Sequence, residues 1–133
     1  MNTPYRIMVI GGRDFTDYKL LCETVGNRIN WMAKLHRSVE IISGDCLKGA
    51  DKLAKQYATD YHFDYVGYPA DWNQYGKRAG AIRNRTMVDL CDEAVVFWDG
   101  ASKGTKISVD MLREKFKEED FENKVTIVNY TKI

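Results

Sequence analysis

Residues 5–15 read YRIMVIGGRDF, an apolar run built on Ile, Met and Val that ends at two glycines. Six residues are too few for a stable helix. β-Branched side chains stopped by Gly11-Gly12 read as a buried strand with a tight turn behind it. Similar runs recur along the chain. Val39 to Ser43 (VEIIS) is followed by Gly44, and Phe63 to Tyr68 by Pro69. Ala94 to Trp98 (AVVFW) is followed by Asp99-Gly100, and Lys124 to Tyr130 (KVTIVNY) closes the chain.

Helical periodicities fill the intervals. Asp17 is placed to cap a helix carrying Leu21, Val25, Ile29 and Met32. From Gly49 a helix puts Leu53, Tyr57 and Tyr61 on one stripe. Another spans about Arg78 to Cys91, with Ala79, Arg83, Met87 and Leu90 aligned. After GASKGT comes a helix of about 12 to 15 residues, with Ile107, Met111 and Phe116 facing inward. The charged run KEEDFENK at 117–124 reads as a solvated helix end. Strands alternating with helices imply an α/β fold: a three-layer α/β/α arrangement with a mainly parallel sheet of about five strands. One domain over residues 1–133 is expected from the length.

Composition narrows the classes. The chain is 44% hydrophobic and 29% charged, ordinary for a folded soluble protein. A net charge of +1 argues against sequence-independent nucleic-acid binding, which would require a basic surplus. With no apolar run of about 18 residues and no leader-like start, a cytoplasmic protein without membrane contact is expected. Cys22, Cys46 and Cys91 are odd in number and lack CxxC spacing, which fits free thiols. His36 and His62 have no ligand-like spacing, so neither a metal nor a cofactor is expected.

In a doubly wound sheet, ligands bind beyond the carboxyl ends of the strands. The glycine-rich segments all follow strands, so they converge on that edge. Gly11, Gly12 and Gly44 let the backbone approach an anion, and a following helix start supplies free N–H groups. Neither GxGxxG nor GxxxxGK[ST] is present. The segment 67–87, GYPADWNQYGKRAGAIRNRTM, is the densest in special residues. Arg83 interrupts its apolar stripe and needs a partner, either a carboxylate such as Asp51 or Asp99 or a bound phosphate. Asn84 adds a directional hydrogen bond. Trp72 and Tyr75 suit stacking on a base, or else anchor the loop to its own domain. Arg13 reaches a phosphate or pairs with Asp14. Cys46 lacks a nearby histidine and is a poor nucleophile.

These motifs, GGRDF at 11–15, SGDCLKGAD at 43–51, PADWNQYGKRAGAIRN at 69–84 and FWDGASKGT at 97–105, resemble those of the SLOG superfamily of Rossmann-like proteins. The resemblance covers nearly the whole chain and is strongest to the small YspA-like (cpYpsA-related) members, relatives of which occur in phage genomes. It implies a nucleotide or nucleotide-derived ligand such as ADP-ribose, NAD or a cyclic nucleotide, to be sensed, sequestered or processed. The ligand set it implies adds Ser43, Asp71, Gly80, Gly100, Gly104 and Thr105 to the residues above. Superfamily hydrolases carry PGGxGTxxE with a catalytic glutamate and an upstream arginine. Here Arg83 matches the arginine, while Ser108 stands at the glutamate and Asp45 and Asp99 stand where glycine is common. The alternative is therefore a nucleoside-monophosphate phosphoribohydrolase-like N-glycosidase that would use Arg83 with Asp99 or Asp51. A second alternative is a DNA-associated DprA-like module, opposed by the near-neutral charge. Relatives pair through helices, so a homodimer or higher homo-oligomer is also implied.

Overall fold

The computed structural model describes residues 3–32 and 38–131. Five strands form one wholly parallel sheet: β1 (Tyr5–Gly11), β2 (Val39–Ser43), β3 (Asp64–Gly67), β4 (Glu93–Trp98) and β5 (Val125–Asn129). Their spatial order is β3-β2-β1-β4-β5. The chain winds outward from β1 to β3, then crosses back to place β4 on the other side of β1. This is a Rossmann-like arrangement, with its reversal between β1 and β4.

Strand alternation builds the two cores. Ile7 and Val9 of β1 face one side with Ile41, Val95 and Phe97. There they meet Leu21 and Val25 of α1 (Tyr18–Met32), and Ala50, Ala54 and Tyr57 of α2 (Gly49–Asp60). Met8 and Ile10 face the other side with Ile42, Ala94 and Val96. They meet Met87 and Val88 of α4 (Ala79–Leu90), and Val109 and Leu112 of α5 (Lys103–Lys124). Covered on both faces, the central strands are apolar at nearly every position, as parallel sheets require.

Asp17 caps α1 as expected, accepting from the Leu20 amide at 3.0 Å. The side chain of Met32 and all of His36 lie outside the described residues. Other expectations need correction. Tyr61 lies just past the end of α2 and is 54% exposed, with its ring against Tyr57. Leu90 is exposed because the turn of α4 gives the inward places to Met87, Val88 and Cys91. Ile107 is 47% exposed, while Thr105, Ser108, Val109 and Leu112 make the inner stripe of α5. α5 also outlasts the expected length. It breaks at Lys117, which has a left-handed φ of 52°, and resumes to bury Phe121 within the segment read as solvated. Between β3 and α4 stand an unexpected single-turn α3 (Trp72–Tyr75) and a 3₁₀ turn (Gly76–Arg78).

Two polar devices pin the far ends of the layers. At the amino edge of the sheet, fully buried Glu93 accepts from the Tyr5 hydroxyl at 2.7 Å and from Arg28 Nε at 2.6 Å. Arg28 Nη2 also donates to the Asn123 carbonyl at 3.0 Å, joining α1 to the end of α5. Lys115 Nζ donates to the carbonyls of Val88, Asp89 and Cys91 at 2.7, 3.0 and 2.5 Å, capping α4 from α5.

Candidate functional site

A cavity of about 470 Å³ opens where the strand order reverses, within the range of small-molecule sites. Its first wall is the loop after β1, with Gly11, Gly12, Arg13 and Asp14. Asp14 accepts a short hydrogen bond from the Tyr130 hydroxyl, which fixes this loop to the chain's last described residues.

The second wall is the loop after β2 with the start of α2: Gly44, Cys46, Lys48 and Asp51. Gly49 has φ 71°, and a side chain there would strike the Gly12 carbonyl. That close approach lets the Ala50 amide donate to the same carbonyl at 3.2 Å, locking the first two walls together. Gly44 is squeezed differently. A Cβ on it would lie 2.5 Å from Arg83 Nη1 and 2.7 Å from Asp51 Oδ2.

The third wall is α4, through Arg83, Asn84 and Met87. Arg83 Nη1 donates to the Gly44 carbonyl at 2.6 Å and the Tyr68 carbonyl at 3.2 Å, and Nε donates to Asn84 Oδ1 at 2.7 Å. Among the described residues Arg83 forms no ion pair within 4.0 Å, so neither Asp51 nor Asp99 is its partner. Of a guanidinium's five donors, the two on Nη2 make no hydrogen bond to another of the described residues. Asn84 passes the network on, donating from Nδ2 to Ser108 Oγ at 2.9 Å, and Ser108 donates to the Gly104 carbonyl at 3.4 Å.

The fourth wall follows β4. Asp99 Oδ1 accepts from the amides of Ala101 and Ser102 at 2.9 and 2.8 Å, shaping the approach to α5. Ser102, Gly104, Thr105 and Ser108 line the cavity. The first turn of α5 thus brings unsatisfied N–H groups and the positive end of a long helix to its edge.

Asp51 is 8% exposed, and burial raises its carboxyl above the ordinary value of 3.8, although the Cys46 amide and the charge of Arg83 pull it back. The Cys46 amide donates to Asp51 Oδ2 at 3.3 Å. Burial and the adjacent Asp51 push the Cys46 thiol up, which keeps it protonated.

Several residues singled out from sequence stand away from the cavity lining. Ser43 is buried and bonded to the Tyr65 hydroxyl at 2.5 Å. Asp71 caps α3, accepting from the Gln74 amide at 3.1 Å. Trp72 and Tyr75 are 52% and 41% exposed, and the Trp72 ring lies beside Gly80. Gly100 sits in the turn before α5 with φ 85°. In return the structure adds Lys48, a cation inside a glycine loop after a strand, which was the signal available for it. It also adds Cys46, Ser102 and the apolar floor of Ile10 and Met87. No helix among the described residues is long and apolar enough to cross a membrane.

The chain is similar in sequence to known proteins. The Gene 61 protein of Mycobacterium phage D29 is 28% identical over 110 residues, covering 76% of this chain and 82% of its own. No solved structure matches the chain. The YspA, cpYpsA-related SLOG family matches residues 5–75, from β1 through α3 and so across the first two walls. With more than half its length matched, the chain belongs to the YspA, cpYpsA-related SLOG family.

Proposed function

We propose that this protein binds a nucleotide or nucleotide-derived small molecule in the cavity between β1 and β4. The observation that carries this reading is the meeting of a helix start with three cations, Arg13, Lys48 and Arg83, in one cavity at the strand reversal. The amides of Gly104 and Thr105 take a phosphate group, with Arg13 and Lys48 offsetting its charge. Arg83 adds its two remaining donors and the field of its guanidinium. Trp72 and Tyr75 stand outside the cavity lining and, exposed before α4, are the aromatic faces offered to a base that extends beyond it. Family membership supports a nucleotide-related ligand in general, and ADP-ribose, NAD and cyclic nucleotides are the finer candidates. Isothermal titration against a panel of these compounds and nucleoside monophosphates tests the reading. Micromolar binding of one class is expected, and no binding at millimolar concentration would sink it.

A second reading, N-glycosidic cleavage, draws on Asp51. Ser108 is buried and bonded to Asn84, while Asp51 lines the cavity and, with Arg83, crowds the same side of Gly44. A carboxylate beside the ribose is what an oxocarbenium-like transition state needs. Release of free base from a nucleoside monophosphate, lost in Asp51→Asn, would favour this reading. Tight binding without turnover would return the protein to the first. A phage origin and a homo-oligomeric state complete the proposal. Light scattering of the purified chain at several concentrations measures the second.

A further inference from the structure

We infer that Asn84 is a positioning residue, which holds the Arg83 guanidinium and the first turn of α5 in one relation so that both act on the same phosphate group. The inference rests on the nucleotide reading above and deepens it. An unbroken series of hydrogen bonds carries it. Arg83 Nε donates to Asn84 Oδ1 at 2.7 Å, and Asn84 Nδ2 donates to Ser108 Oγ at 2.9 Å. Ser108 Oγ in turn donates to the Gly104 carbonyl at 3.4 Å. Arg83, Asn84, Gly104 and Ser108 all line the cavity, so the series runs along its wall from α4 to α5.

The series has one direction. A guanidinium Nε gives a proton and offers no lone pair, so the oxygen of the Asn84 amide must face it. The amide nitrogen is thereby turned to Ser108, whose oxygen accepts there and gives its single proton to the Gly104 carbonyl. Ser108 is buried, so bulk water does not compete for these bonds. An ionised aspartate at position 84 would accept from Arg83 but would have nothing to donate to Ser108, and an apolar side chain would do neither. The effect on Arg83 is orientation. Its Nη1 is held by the carbonyls of Gly44 and Tyr68, and a planar fork held at one nitrogen can still swing. The bond at Nε holds a second nitrogen and so fixes the plane. At the other end the series stops on Gly104, in the turn whose amides the nucleotide reading gives to the phosphate. Asn84 thus serves the ligand through its neighbours.

Titration calorimetry on the intact protein tests this, with AMP, GMP, CMP and UMP and the nucleoside of whichever one binds. Asn84→Ala should weaken the monophosphate about tenfold, in the range of couplings within one hydrogen-bond network. The nucleoside should lose distinctly less, because it has no phosphate for the pair to hold. Arg83→Lys keeps a cation and removes the Nε donor. In that background Asn84→Ala should weaken the monophosphate by only about twofold or less. Ser108→Ala cuts the tether to α5 alone. It should weaken the monophosphate about threefold and add nothing to Asn84→Ala. Alanine suits both helices, and thermal melts check that the variants fold. If Arg83→Lys binds too weakly to measure, the comparison of nucleotide with nucleoside decides. Additive losses from Asn84→Ala and Arg83→Lys, or equal losses for nucleotide and nucleoside, overturn the inference and leave nucleotide binding standing. No binding of any probe removes the nucleotide reading and this role with it.

Discussion

Arg83 donates from Nη1 to the carbonyl of Gly44 at 2.6 Å, across a spot where a methyl group on Gly44 would come within 2.5 Å of the same nitrogen. The contact ties α4 to the loop after β2 and leaves no slack. Gly44→Ala should displace Arg83 and Asp51 together. We expect a loss of about 1–3 kcal/mol in stability from this overpacking and at least a tenfold loss in ligand affinity. Urea unfolding and calorimetry measure the two, and unchanged affinity would show that the Arg83 position is not needed.

Gly49 and Gly104 should separate structure from binding. Gly49 combines a left-handed φ with close contact to the Gly12 carbonyl, so Gly49→Ala should cost about 3 kcal/mol. A Cβ on Gly104 would meet nothing within 4 Å. Gly104→Ala should keep or raise stability by up to about 1 kcal/mol, as alanine suits a helix. It should nevertheless weaken phosphate-bearing ligands about tenfold by crowding the α5 amides. Thermal melts with and without ligand compare the pair.

Asp51 is held at a cost to the fold. Its folded value lies above the ordinary 3.8, so the folded chain keeps the proton longer than the unfolded chain. Stability on its account is full below pH 3.8 and declines as pH rises through the raised value. Asp51→Asn removes that decline. The variant should be more stable than wild type at neutral pH by about 0.5–2 kcal/mol, with the gap closing in acid, although the site is weakened. Urea midpoints between pH 4 and 8 follow the gap, and a constant difference would contradict it.

Glu93 and Arg28 lie at the opposite edge of the sheet from the cavity. Arg28→Met strands a fully buried carboxylate and should cost about 3 kcal/mol. Ligand affinity measured below the melting temperature should stay within about twofold, since distant sites act independently.

Much of this was legible beforehand because the signals were local. YRIMVI and AVVFW are too apolar and too short for anything but central strands, and strands alternating with helices leave few topologies. The carboxyl-edge site followed from that order. What stayed hidden depends on the third dimension. Arg83 is satisfied chiefly by the carbonyls of Gly44 and Tyr68, and every residue carries a carbonyl, so sequence cannot mark these two. Leu90 and Ile107 fit an apolar stripe yet sit at its margin, where a small rotation of the helix decides exposure. Phe121 hides in a charged run, and its burial depends on the break at Lys117 turning the chain back toward the sheet.

The bond from Tyr130 to Asp14 joins residues 116 apart in the chain. Contacts of such separation form late, because closing a long loop costs entropy before it returns any energy. A nascent chain leaving the ribosome would carry the first two cavity walls long before β5 pairs and Tyr130 can steady the first of them.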